Sequence, residues 1–321
     1  MKRNRILIAA GGTGGHIYPA RAIAEYLYDK AEVLYLEKKI MSSPRNPLKL
    51  FIGFCQSIIT ILKFHPDIIY VTGGYPSVPI GLAAVLFRIP LVLQEQNAFL
   101  GKTNRLLARF ARDIIYETPV RSEILNVRDK SPFEQRDTVL VFGGSQGARS
   151  INEAVEKMDL SGIKVVHLTG THHSSLTTHH LNPQSEDSLY RKVEFTEDMA
   201  SLYSKACLVV CRAGGSTLAE LAVCGIPAVL IPYPYAAENH QQANAERYQK
   251  AEAAVICANL SPEGLESIMR SLYYDRKKLK SMSDNMRKIA GNGINEQIWE
   301  RLKKSFSAFY WNRRLRDERN R

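Results

Sequence analysis

Short apolar runs alternate with longer stretches of helical periodicity along most of this chain, and the alternation happens twice. The first series occupies residues 6–10, 33–36, 68–71, 91–93 and 114–116, and the second residues 139–142, 164–168, 208–211, 228–231 and 254–256. Runs this apolar suit strands buried on both faces of a parallel sheet, and parallel neighbours need crossover helices between them. A polar, charged passage at 121–137, including Ser131-Pro132, separates the two series. The pattern predicts an α/β protein of two doubly wound halves in tandem, a size that 321 residues fill comfortably.

Both halves open alike. The first strand runs into Gly11-Gly12-Thr13-Gly14-Gly15-His16, and residues 139–142 run into Gly143-Gly144-Ser145-Gln146-Gly147-Ala148-Arg149. A glycine turn between strand and helix lets the backbone approach a bound group and aims the helix start at an anion. Ligands of such sheets bind beyond the carboxyl ends of the strands, so a two-substrate cleft between the halves is expected. The first loop breaks the dinucleotide fingerprint, whose third glycine would fall at Ile17. His16 is the one side chain of that loop able to exchange a proton near neutral pH. A tight connection ending in a helix-start histidine is the plainer reading of the same residues.

The formal charge of +11 and a pI near 9.4 imply attraction to something anionic, whether nucleotide phosphates, nucleic acid or an acidic membrane face. Cys55, Cys207, Cys211, Cys224 and Cys257 are odd in number and lack zinc spacing, which fits free thiols in a reducing compartment. The apolar run behind Lys2, Arg3 and Arg5 is too brief, and too quickly ended by glycines, to read as a signal peptide.

More strand-end loops carry polar groups: Gly73-Gly74-Tyr75-Pro76-Ser77, Glu95-Gln96-Asn97 and Thr118-Pro119-Val120-Arg121. In the second half, Arg212-Ala213-Gly214-Gly215-Ser216-Thr217 leads into a helix holding Glu220, an arrangement suited to a diphosphate and a ribose. Gln241-Gln242-x-Asn244 opens a further helix, its amides fit either to read sugar hydroxyls or to cap that helix. His172, His173, His179 and His180 sit among Ser, Thr and Asn, and read as an exposed loop before they read as a metal site. Residues 48–64 are strongly apolar but interrupted by Lys49, Gln56 and Lys63. Phe51, Phe54, Ile58, Ile61 and Leu62 recur at helical spacing there, consistent with a helix lying on a membrane or equally with a buried crossover helix. After Asn295, Trp299, Leu302, Phe306 and Phe309 predict an amphipathic helix with a basic end.

Taken in order from about Arg5 to about Glu252, these motifs, together with Gly101, Asn104 and Phe195-Thr196-Glu197-Asp198-Met199, resemble the MurG family. The resemblance implies a GT-B fold, two Rossmann-like domains facing a central cleft. The domains would be residues 1–121 on the acceptor and membrane side and residues 122–295 on the UDP-sugar side, with a C-terminal helix of about 296–321 packing back on the first. It implies metal-independent, inverting transfer of N-acetylglucosamine from UDP-N-acetylglucosamine to the C4 hydroxyl of lipid I, without a cofactor. The partners would be these two substrates and an anionic membrane surface, not nucleic acid, and the setting peripheral at the cytoplasmic face of the inner membrane. Residue by residue, His16 becomes the base or acceptor-orienting group, Gly14 and Gly15 neighbours of the acceptor diphosphate, and Thr13 a further substrate-binding residue. Asn97 would touch the donor sugar, and Arg121 and Ser145 the donor phosphates. Thr196 would meet uracil through its backbone, Gly215, Ser216 and Thr217 the diphosphate, Glu220 the ribose, and Gln241 and Gln242 the sugar.

Two departures stand out. Gln94 replaces the histidine usual before Glu-Gln-Asn in the family, and the segment between Glu37 and Pro66 is shorter than usual. The readings set against this one are a different lipid acceptor on the same fold, and a nicotinamide-dependent oxidoreductase using Glu37 at the end of the second strand. A basic nucleic-acid or membrane-binding protein has only the charge in its favour.

Overall fold

The computed structural model describes residues 3–12, 14–37, 40, 46–127, 131–144, 146–171 and 189–319, with side chains as far as Phe306 and excluding that of Ala237. The chain divides into two compact units, Met1–Ser122 with Asn292–Arg321, and Glu123–Gly291.

In the first unit β1 (Arg5–Ala10), β2 (Glu32–Glu37), β3 (Ile68–Val71), β4 (Leu91–Gln94) and β5 (Asp113–Ile115) form a parallel sheet in the order β2-β1-β3-β4-β5. Alternate residues bury on opposite faces, which is why the strands read as unbroken apolar runs. Ile6, Ile8, Ile68 and Tyr70 pack under α1 (Gly14–Leu27) and the C-terminal helix (Ile294–Arg319), which supplies Ile298, Leu302 and Phe306. Leu7, Ala9, Ile69 and Val71 face the other way, toward α2 (Pro47–Phe64), α3 (Ser77–Leu86) and α4 (Lys102–Ala108). Strand order reverses between β1 and β3, so the loops leaving those two strands flank the position where open sheets bind ligands.

Helix α2 is delimited by local chemistry. Asn46 Oδ1 accepts from the Lys49 N–H at 3.1 Å, Pro47 takes the first turn, and His65 closes the end in the left-handed region at φ 52°. The expected apolar stripe splits: Phe54, Ile58 and Ile61 pack inward, whereas Phe51 and Leu62 point outward with Leu48, Ile52 and Ile59. Helix α2 is thus a crossover helix with a buried face and a bare apolar one.

A short helix α5 (Ser122–Leu125) leads into the second unit. There β6 (Thr138–Phe142), β7 (Lys164–Leu168), β8 (Tyr190–Val193), β9 (Ala206–Cys211), β10 (Ala228–Leu230) and β11 (Ala254–Ile256) pair in parallel as β11-β10-β9-β6-β7-β8. This is the Rossmann strand order, with its reversal between β6 and β9. Helices α6 (Arg149–Val155), α7 (Met199–Lys205), α8 (Gly215–Cys224), α9 (His240–Lys250), α10 (Pro262–Tyr274) and α11 (Arg276–Ala290) complete it. Strand β8 has no place in the sequence pattern because it is an edge strand none of whose residues is fully buried.

Candidate functional site

In the first unit His16 stands in the opening turn of α1, beside the reversal of strand order. Thr72, the residue after β3, holds it at two points: the Thr72 hydroxyl donates to the His16 carbonyl at 2.8 Å, and the His16 Nδ1 lies 2.7 Å from the Thr72 carbonyl oxygen. The glycine loops after β1 and β3 press together. A Cβ on Gly74 would fall 2.4 Å from the Gly11 carbonyl, and one on Gly73 would sit 3.1 Å from the imidazole.

The loop after β4 is built on Glu95, a carboxylate 1% exposed. It accepts from the Asn97 N–H at 3.1 Å, Asn97 Nδ2 at 2.9 Å, the Gly101 N–H at 3.0 Å and Asn104 Nδ2 at 2.9 Å. A buried charge is tolerable only with such donors. The clamp also orients the Asn97 amide by holding its NH2 on Glu95. Gln94, where the family has histidine, is wholly buried, its Nε2 3.5 Å from Thr118 Oγ1. The substitution therefore alters the support beneath this loop and not its outer surface. Arg121 lies over the Tyr18 ring, 5.6 Å from its centroid. Gly14 and Gly15 form the start of α1, while Thr13 lies outside the described residues. The Glu37 carboxylate is engaged by Arg21 at 2.8 Å and the Tyr35 hydroxyl at 3.1 Å, which is poor preparation for a nicotinamide cofactor's ribose.

In the second unit Gly215, Ser216 and Thr217 form the first turn of α8, behind Gly214 as its N-cap, so the positive end of this helix lies beside the β6–β9 reversal. Glu220 sits one turn on, and the buried Tyr203 hydroxyl donates to its Oε2 at 3.0 Å. Burial, and the carboxylate beside it, push the Tyr203 phenol well above its ordinary pKa, so it remains a donor. Thr196 precedes α7, its hydroxyl accepting from the Asp198 N–H at 3.1 Å. Gln241 does not cap α9; its Oε1 accepts from the Tyr233 N–H at 2.9 Å, while Gln242 Nε2 donates to Glu246 at 3.0 Å. Asn244 ties that helix to the α8 loop through the Ala213 carbonyl at 3.0 Å. Gln242 and Arg212 line an open pocket of about 860 Å³ with Tyr233 and Tyr235. Ser145 and the four histidines at 172, 173, 179 and 180 lie outside the described residues. The cysteines of β9 are core residues, and burial pushes the Cys211 thiol up to about 12, far from a thiolate metal ligand.

The sequence singled out the loops but not the side chains that brace them. Thr72 and Tyr203 sit in ordinary-looking positions, and only the fold brings them onto His16 and Glu220; Asn244, picked out with Gln241 and Gln242, instead braces the Ala213 carbonyl.

The glycosyltransferase family 28 N-terminal domain matches residues 35–116 and the family 28 C-terminal domain residues 138–298. A UDP-N-acetylglucosamine--N-acetylmuramyl-(pentapeptide) pyrophosphoryl-undecaprenol N-acetylglucosamine transferase of Halothermothrix orenii is 35% identical over 89% of this chain and 94% of its own. A protein of the same name from Francisella tularensis is 34% identical over 95% of this chain and 98% of its own. Among solved structures, Acinetobacter baumannii MurG superposes with a TM-score of 0.73 at 28% identity, over 94% of this chain and 99% of that one. The fold is GT-B, with two Rossmann-like domains. On a likeness that runs along nearly its whole length, the chain belongs to glycosyltransferase family 28 and, within it, to the MurG family.

Proposed function

We propose that this glycosyltransferase moves N-acetylglucosamine from UDP-N-acetylglucosamine to the C4 hydroxyl of N-acetylmuramyl-pentapeptide on undecaprenyl diphosphate, converting lipid I to lipid II. The observation that carries the reading is the end-to-end likeness to transferases bearing that name. The chemistry of the two half-sites agrees with it. In the second unit the start of α8, with Gly215, Ser216 and Thr217, receives the donor diphosphate, helped by Ser145 and by Arg121 of the first unit. Glu220, braced by Tyr203, accepts from the ribose hydroxyls, Thr196 meets uracil, and Gln241 and Gln242 read the sugar, whose other contact is Asn97. Gly14 and Gly15 lie along the acceptor diphosphate, and Thr13 is a further substrate-binding residue.

The acceptor oxygen forms its bond to C1 as the C1–O bond to UDP breaks with its electron pair, inverting the centre. The hydroxyl proton passes to His16, and the helix dipole of α8 with Arg121 meets the charge growing on UDP.

The acceptor's lipid tail calls for a membrane surface, and we place the bare face of α2 against its cytoplasmic side. Leu48, Phe51, Ile59 and Leu62 are each more than half exposed there, with Lys49 and Lys63 beside them for anionic headgroups.

The direct test is transfer of labelled N-acetylglucosamine from its UDP donor to a short-chain lipid I analogue. Glu220→Ala should lower transfer by about a hundredfold, the worth of two charge-assisted hydrogen bonds to the ribose. UDP-sugar binding without transfer would keep the donor and overturn the acceptor; no UDP-sugar binding would overturn both.

A further inference from the structure

Two groups converge on one nitrogen of His16. The Thr72 carbonyl oxygen lies 2.7 Å from Nδ1, and the Gln96 side-chain amide reaches the same atom, its Nε2 at 2.9 Å. A carbonyl can only accept, so a contact of 2.7 Å requires the hydrogen to be on Nδ1. An amide NH2 facing that N–H would set two donors against each other. The two ends of a glutamine amide have the same shape, and which end faces a partner is decided by the hydrogen bonds it makes. Gln96 Oε1, on the far side, is buried and meets no donor among the described residues, so nothing there favours that orientation.

We infer that Gln96 presents Oε1 to His16, and that Thr72 and Gln96 together fix the imidazole in the Nδ1–H tautomer, leaving Nε2 as its basic nitrogen. This rests on His16 as the base of the proposed transfer. Gln96 is then a positioning residue. As the acceptor oxygen bonds to C1 and UDP departs with its electron pair, the hydroxyl proton moves onto Nε2, and the imidazolium keeps Nδ1–H on two carbonyl oxygens whose dipoles favour its charge. The second bond from Thr72, hydroxyl to His16 carbonyl, holds the residue's backbone, and Gly73 leaves no room for a side chain to displace the ring. Neither Thr72 nor Gln96 need touch substrate.

The test begins with the unaltered protein. Long-range proton–nitrogen correlation spectra of histidine-labelled chain, assigned with His16→Ala, should show His16 above its pKa with a protonated Nδ1 and a pyridine-type Nε2; the opposite tautomer overturns the inference. In Gln96→Glu a carboxylate meets Nδ1–H, and the His16 titration should move up by about one pH unit or more. The acid limb of kcat/KM should move with it. Gln96→Leu should lower kcat about tenfold with the KM for UDP-N-acetylglucosamine unchanged, a loss of one hydrogen bond to a charging group. A titration unmoved in Gln96→Glu rejects the clamp. A titration that moves while the acid limb stays put keeps the clamp and rejects His16 as the base.

Discussion

His167 has no contact with solvent, although it sits on β7, one strand in from the sheet's edge. Its Nε2 lies 3.1 Å from Asn152 Oδ1 and its Nδ1 3.0 Å from the Tyr190 hydroxyl. Asn152 gives its NH2 to the Thr169 carbonyl, so Oδ1 accepts from Nε2–H and Tyr190 donates to Nδ1. Both ring nitrogens of the neutral imidazole are thereby satisfied. Burial, with Lys192 nearby, lowers its pKa to about 4, against a weaker opposing pull from Glu156. The unfolded chain takes that proton near 6.5, so between the two values the unfolded state holds more protons and stability falls as the solution is acidified. The contribution is whole above pH 6.5 and is lost toward pH 4, by about 3 kcal/mol. Hydrogen exchange of the β7 amides at pH 7 and 4.5 should show this decline, and His167→Gln, weaker at pH 7, should decline less. Equal slopes would remove His167 as its source. Nothing in the sequence marks this residue, because its partners come from a helix and from a strand the pattern misses. Glu95-Gln96-Asn97, by contrast, was legible as a hydrogen-bonding loop, yet its division of labour was not. The sequence offers three like polar groups, and only the fold buries Glu95, turns Gln96 to His16 and leaves Asn97 at the surface of the clamp.

At the scale of elements, ten strands were readable because each carries a run of apolar residues, buried on both faces in the inner strands and partly buried in the edge strands β2, β5 and β11. Helix α2 was readable as a helix but not as a face. Its residues are apolar nearly all round, so periodicity alone could not tell the side against the sheet from the exposed side. Its inner contacts at Gly53, Ser57 and Ile61 include two small residues, which let the helix lie close to its neighbours, while the largest exposed side chain, Phe51, points outward. An outward face of Leu48, Phe51, Ile52, Ile59 and Leu62 is costly in water and gains when it enters a lipid interface. Replacing Phe51 and Leu62 together by serine should lower co-sedimentation with anionic vesicles at least about tenfold, a modest part of what burying two such side chains contributes. Turnover of a short-chain, water-soluble acceptor should stay within about twofold, since neither residue belongs to the half-sites. Unchanged vesicle binding would move the membrane contact elsewhere.

At the scale of the whole molecule, the chain leaves the first unit near Ser122 and returns to it at Asn292, so its last helix completes a core begun nearly three hundred residues earlier. The return is locked twice. Asn295 pairs with both backbone groups of Val120, accepting from its N–H at 3.1 Å and donating to its carbonyl at 2.8 Å. Arg301 forks onto Asp113 and reaches Glu117 at 3.0 Å. Along the same helix Ile298, Leu302 and Phe306 bury against Ile6, Ile8 and Tyr70. Three such side chains contribute on the order of 6 kcal/mol, comparable with the net stability of a domain. The first unit should therefore depend on this helix while the second does not. Leu302→Ala removes one wholly buried side chain and should destabilise the first unit by about 2–5 kcal/mol. Trp299 lies on this helix and packs against the core of the first unit, so in a Trp311→Phe background the tryptophan fluorescence follows that unit. In urea the tryptophan transition should move to lower concentration, while hydrogen exchange of the β6 and β9 amides keeps its wild-type protection. If protection in the second unit falls by the same amount, the two units unfold as one, and the C-terminal helix stabilises the whole chain and not the half it returns to.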